Sequence, residues 1–137
     1  METHLSRESL TSLTRKVLWA DAAVELVVAL VLTGAVGRVH WWLNVERPVT
    51  LIAAVVFLAA AVAVAWMAWS QKSAPALVRY LAFANIAGGA ALWLGAMLNW
   101  DRFESEGAWL IAAIADAFVV VGLLELFALR QQAKGAA

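Results

Sequence analysis

Five polar side chains stand inside otherwise apolar runs of this 137-residue sequence: Asp21, Glu25, Asn85, Asp116 and Glu125. Four are carboxyl groups, and the basic residues stand at or near the ends of the same runs. A carboxyl group in such a setting can hold a proton, bind a cation or accept a hydrogen bond from an amide. An ionisable group at mid-depth in lipid costs a few kcal/mol or more, so it marks a site of function by default. Counting the helix rise, Asp21 and Glu125 lie roughly 6 Å from one boundary of the apolar layer, where Arg15, Lys16, Arg79 or Arg130 can curl back to pair with them. Glu25 is about 12 Å deep from that side, Asn85 is at a similar depth, and Asp116 is about 10–12 Å from the other side. The structural expectation for Glu25 is a protonated carboxyl bonded to Asn85; the functional one is a proton or cation site.

Spacing adds a constraint. Asp21 and Glu25 are one helical turn apart and share a face, whereas Asp116 and Glu125 point to opposite sides of one helix at about 100° per residue. One of that second pair cannot face the centre of a bundle. Either Glu125 reaches the headgroups, or the last helix has a second protein neighbour, which points to a homo-oligomer or a larger membrane-protein complex.

Other chemistries find no support. There is no cysteine, and His4 and His40 both lie outside the apolar runs, so no haem is ligated from within a bundle and neither a metal site nor any other cofactor is expected. No phosphate-binding loop or nucleophile elbow occurs, so the chain reads as no enzyme. Ten basic and ten acidic residues give zero net charge without a basic stripe, which argues against nucleic acid as a partner.

The elements that must carry these residues follow from composition. The chain is 64% hydrophobic and 15% charged with a mean hydropathy of +0.81, far from the soluble balance, so its partner is the lipid bilayer. Four runs reach the roughly 20 residues that a crossing helix needs: 17–37, 48–69, 76–98 and 107–129. Pro48 and Pro75 stand where helices begin, and the connections are short, so sequential helices are expected to be antiparallel neighbours. The fold class is therefore all-α, an antiparallel bundle of four transmembrane helices over residues 17–130. A segment of residues 1–16 precedes it and a tail of residues 131–137 follows. The first segment resembles a signal peptide in charge, but Asp21 and Glu25 interrupt its apolar run and it is expected to be retained. Leu5, Leu10, Leu13 and Val17 would line one face of a helix on the membrane surface, unless the segment is disordered.

Seven basic residues (Arg7, Arg15, Lys16, Lys72, Arg79, Arg130 and Lys134) fall on one side and three (Arg38, Arg47 and Arg102) on the other, which puts both termini in the cytoplasm. The aromatic belts agree. Trp19, Trp66, Trp69 and Tyr80 mark the inner interface, and Trp41, Trp42, Trp100 and Trp109 the outer one, while Trp93 falls within a span. In the third run Ala84 and Gly88 form one small-residue step and Ala87, Ala91 and Gly95 another, each suited to close helix packing inside the chain or between copies.

The polar first helix, "KSAPALVRYLAFAN" leading into the third and "LIAAIADAFVVVGLLELFALRQ" near the end together resemble small uncharacterised four-helix integral membrane proteins of bacteria. That resemblance implies the bacterial inner membrane. Glu25 is also similar to the membrane-embedded first-helix glutamate of small multidrug-resistance transporters, which differ in lacking so long a polar tail and in their third helix. Three functions are consistent with these features. The first is a structural or accessory subunit packing through small-residue faces and buried acids; the second is a proton- or cation-coupled small transporter using Glu25. The third is lipid or hydrophobic-ligand binding between helices.

Overall fold

The computed structural model describes residues 10–34, 38–70 and 74–135. Of these, 90% are helical and none lies in a strand, so the fold is all-α. The elements are α1 (Ser12–Thr33), α2 (Val39–Trp42), α3 (Arg47–Ser70), α4 (Pro75–Leu98), a 3₁₀ turn at Trp100–Arg102 and α5 (Ser105–Gly135).

Local chemistry sets the helix ends. The Thr11 side chain accepts the Thr14 N–H at 3.3 Å and caps α1, so the helix starts at Ser12, ahead of the apolar run at Val17. The segment expected to lie on the membrane surface or to be disordered therefore contributes its last residues to α1; Leu5 falls outside the described residues. Gly34, at φ 89°, closes α1 by returning its N–H to the Val31 carbonyl in a left-handed turn. Pro75 opens α4 in its first turn, where its missing N–H costs nothing.

Three helices, α3, α4 and α5, are long and apolar enough to cross a membrane. At 24 residues, α3 and α4 each extend about 36 Å, enough for a hydrocarbon layer of roughly 30 Å. The exception is α1, whose 22 residues include Arg15, Lys16, Asp21 and Glu25.

The helices associate as two pairs, α1 with α3 and α4 with α5, joined through a contact between α1 and α5. Sequential neighbours were expected throughout, but α3 and α4 make no extended contact. The reason lies on α4, whose buried side (Val78, Ala82, Asn85, Gly89 and Ala96) is committed to the rest of the bundle through α5. A Cβ at Gly89 would stand 2.6 Å from the Ala115 carbonyl oxygen, and one at Gly122 would stand 2.7 Å from that of Ala82. These two glycines let the backbones of α4 and α5 approach closely. Within the chain, the steps read from the sequence face elsewhere: Ala84, Ala87, Gly88 and Ala91 are exposed, and no atom lies within 4 Å of a Cβ placed at Gly88 or Gly95.

Two apolar clusters bracket the middle of the bundle. Leu18, Val64, Ala68, Val78 and Leu129 close the end where α3 gives way to α4. Val28, Leu32, Val39, Ala54 and Phe118 fill the opposite half. There α2 rests on α5, the Trp42 carbonyl accepting the Glu104 N–H at 3.1 Å, and Gly107 sits so close to that carbonyl that no side chain fits. The exterior is largely apolar, with Ile52, Val55, Phe83 and Leu94 exposed. Of the aromatic side chains near the helix ends, Trp19, Trp41, Trp66, Trp69, Tyr80, Trp100 and Trp109 are exposed and Trp42 is half-buried.

A carboxyl cluster at the foot of an apolar groove

Between the two apolar clusters, three helices bring four polar residues together. Asp21 and Glu25 come from successive turns of α1, Asn85 from α4 and Glu125 from α5. The Asn85 amide donates to Asp21 Oδ2 at 3.0 Å and to Glu125 Oε2 at 3.2 Å, which uses both of its N–H groups. Asp21 and Glu125 are 0% exposed and Glu25 is 4% exposed. Asp21 Oδ1, Glu125 Oε1 and Glu25 Oε2 are buried without a hydrogen-bond partner. Among the described residues, no basic group figures in the interactions of these three acids.

This arrangement differs from the expected one in its pairings. Asn85 serves Asp21 and Glu125, not Glu25. The expected ion pairs of Asp21 and Glu125 with interfacial cations do not form, because both carboxyls point into the bundle. Arg15, six residues before Asp21, is turned about 120° away on α1 and donates instead to the Ala68 carbonyl on α3 at 3.1 Å. Glu125 does not reach toward a headgroup layer; it is the α5 acid that faces the interior, and Asp116 faces out. Asp116 is exposed and accepts the Trp93 Nε1–H at 2.7 Å, apart from the other four residues.

The space left between α3 and α4 is a groove of about 740 Å³. Its floor is made by α1 and α5, its sides by α3 and α4, and Glu25 is the sole ionisable side chain among its lining residues. Glu25 and Asn85 stand toward one end, and Asn99 and Phe103 line the other. Phe57 of α3 and Phe118 of α5 stack at 5.5 Å and form an aromatic ledge. Gly88, Ala91 and Gly95 keep the α4 side open. A second hollow of about 390 Å³ between α1 and α5 is lined by Val, Ala, Leu and Ile alone and offers nothing for polar recognition.

Sequence reasoning did not find the groove residues Phe57, Leu92 and Phe118, because phenylalanine and leucine in an apolar run look the same whether they face lipid, core or cavity. It also missed Gly89, although Ala82, Gly89 and Ala96 repeat every seven residues on one face of α4. Among the described residues, no set of three His, Cys, Asp or Glu side chains has a geometry that could hold a metal ion. A carboxyl cluster in this setting can hold a proton, pair with a cation or accept a hydrogen bond. No family model, curated protein or solved structure matches the chain.

Proposed function

We propose that the chain is a non-enzymatic, four-span protein of the bacterial inner membrane, with both termini in the cytoplasm, that acts as a small proton- or cation-coupled carrier through Glu25. The observation that carries this reading is Glu25 itself: a buried carboxyl with a free oxygen, set in the wall of a groove that offers no other ionisable group. An unpaired buried polar atom costs about 1–3 kcal/mol; Asp21 Oδ1 and Glu125 Oε1 bear the same cost, and what sets Glu25 apart is its place in the groove wall.

Counting α1 as the fourth span is supported by where its polar groups go. Asp21 and Glu25 are hidden against α4 and α5, while Val27 and Leu30, more than half exposed, give α1 an apolar outer surface of the kind that lipid covers. The accessory-subunit expectation rests on small-residue faces, which α4 leaves exposed, and on intramembrane acids, among them an α5 acid with no place inside the bundle. With Glu125 buried, the outward-facing α5 acid is Asp116, which is exposed and accepts a hydrogen bond from Trp93 within the chain, so a second neighbour of α5 stays a separate reading beside the carrier.

The test is proton exchange at Glu25. Protein in nanodiscs is moved from alkaline to acidic buffer, and uptake is read with a pH-indicating dye. Wild type takes up about one proton per chain more than Glu25→Gln, whose amide is nearly isosteric and keeps the helical circular dichroism. Equal uptake by the two proteins overturns the reading.

A further inference from the structure

We propose that the groove between α3 and α4 binds a long-chain primary ammonium compound, its charged head on Glu25 and its chain along Gly88, Ala91 and Gly95. This rests on the reading of Glu25 given above and names the ligand class.

Asp21, Glu25 and Glu125 present six carboxyl oxygens, the Asn85 amide supplies two N–H groups, and both are already given to Asp21 and Glu125. No basic side chain of the described residues joins them. With its acids ionised the cluster is short of hydrogen-bond donors and of positive charge, and a primary ammonium supplies three donors and one charge together. Glu25 is where it can be delivered, because Asp21 and Glu125 are fully enclosed whereas Glu25 lies in the groove wall with Oε2 unpartnered.

The shape selects the rest of the molecule. Beyond the polar foot the walls are apolar, from Phe57 and Phe118 to Leu92 and Ile111. The lined stretch of α4, Leu81 to Asn99, covers about 27 Å, and 740 Å³ falls inside the ordinary range for small-molecule sites. The α4 side is open where Gly88 and Gly95 leave space that a Cβ would enter without meeting another atom within 4 Å. Taken alone, that row of small residues is a bare helix face; the unpartnered carboxyl at its foot gives it a ligand. Glu25 lies about 12 Å below the inner boundary, so an aminophospholipid, whose ammonium is tethered to an interfacial phosphate, is the wrong shape, whereas a free amine can enter sideways from the bilayer. Arriving neutral, the amine takes the proton of the Glu25 carboxyl: the O–H bond breaks, an N–H bond forms, and the ammonium carboxylate pair stays in the groove.

The test uses full-length protein in phosphatidylcholine nanodiscs, with empty nanodiscs as the partition control, and compares binding of labelled dodecylamine with dodecanol. Wild type is expected to bind one amine per chain and to prefer it over the alcohol by roughly tenfold or more, as the loss of a charge-assisted hydrogen bond implies. Glu25→Gln should remove that preference. Gly88→Leu, whose Cβ enters open space and whose longer side chain occupies part of the groove, should weaken binding of both compounds. Equal affinity for amine and alcohol in wild type, or undiminished amine binding in either variant, overturns the proposal. Proton uptake at Glu25 without amine binding overturns the ligand assignment alone; absence of both overturns the carrier reading beneath it.

Discussion

Asn85 holds the polar layer together, since its one amide bridges an acid from α1 and an acid from α5. Replacing it by leucine leaves two more buried carboxyl oxygens unpaired, at about 1–3 kcal/mol for each buried group so abandoned. Interhelical hydrogen bonds in membrane proteins average only about 0.6 kcal/mol when both alternatives can relax, and the exposed Trp93 bond to Asp116 belongs to that weaker kind. Unfolding measurements in detergent should therefore rank Asn85→Leu about 2–6 kcal/mol below wild type and Trp93→Phe within about 0.6 kcal/mol of it; a reversed order would remove Asn85 from its bridging role. That these polar residues mattered was legible in the sequence, because charges are rare in apolar runs. Their partners were not. Axial depth follows from counting residues, but Asp21 and Glu25 differ by a single turn, and which of them Asn85 meets depends on how α1 and α4 are rotated about their own axes.

The same ambiguity of rotation decides how α4 packs. Gly88 and Gly89 are adjacent and differ by about 100° around the helix, which separates an open wall from a tight contact. Gly88→Ala is expected to leave stability unchanged or raise it by up to about 1 kcal/mol through helix propensity, since its new methyl meets nothing. Gly89→Ala places that methyl 2.6 Å from the Ala115 carbonyl oxygen and should lower stability by about 1–3 kcal/mol, as overpacking does. Parallel melting curves of the two variants check the contrast, and similar curves would mean that α4 is rotated from the position described. The sequence offered several small-residue steps on this helix and no means of choosing, because alanine and glycine spacing records where a close approach is permitted and is silent on what approaches. Helix positions were easier to read: α3, α4 and α5 begin within a few residues of the apolar runs that announced them, since in each case a proline or a polar turn marks the start.

For the whole molecule, the number of crossings decides on which sides the chain ends lie. Three helices qualify by length and apolarity, and α1 would make the count even by hiding its acids against its neighbours. With no native cysteine, single-cysteine variants report topology cleanly. In intact cells Glu46→Cys should react with a membrane-impermeant maleimide, while Arg7→Cys and Lys134→Cys should both stay protected until the membrane is opened. Opposite behaviour of those two positions would mean an odd number of crossings and a first helix that lies outside the bilayer.

The lack of an extended contact between α3 and α4 has a genetic consequence as well as a chemical one. A chain interrupted between Ser70 and Pro75 would give up no extended helix-to-helix surface at the break. Each fragment would carry one complete helix pair. The fragments would be rejoined by the meeting of α1 with α5 and by the hydrogen bond from Asn85 on the second fragment to Asp21 on the first. Two separately translated hairpins are therefore expected to reassemble when expressed together, with the groove along their open seam.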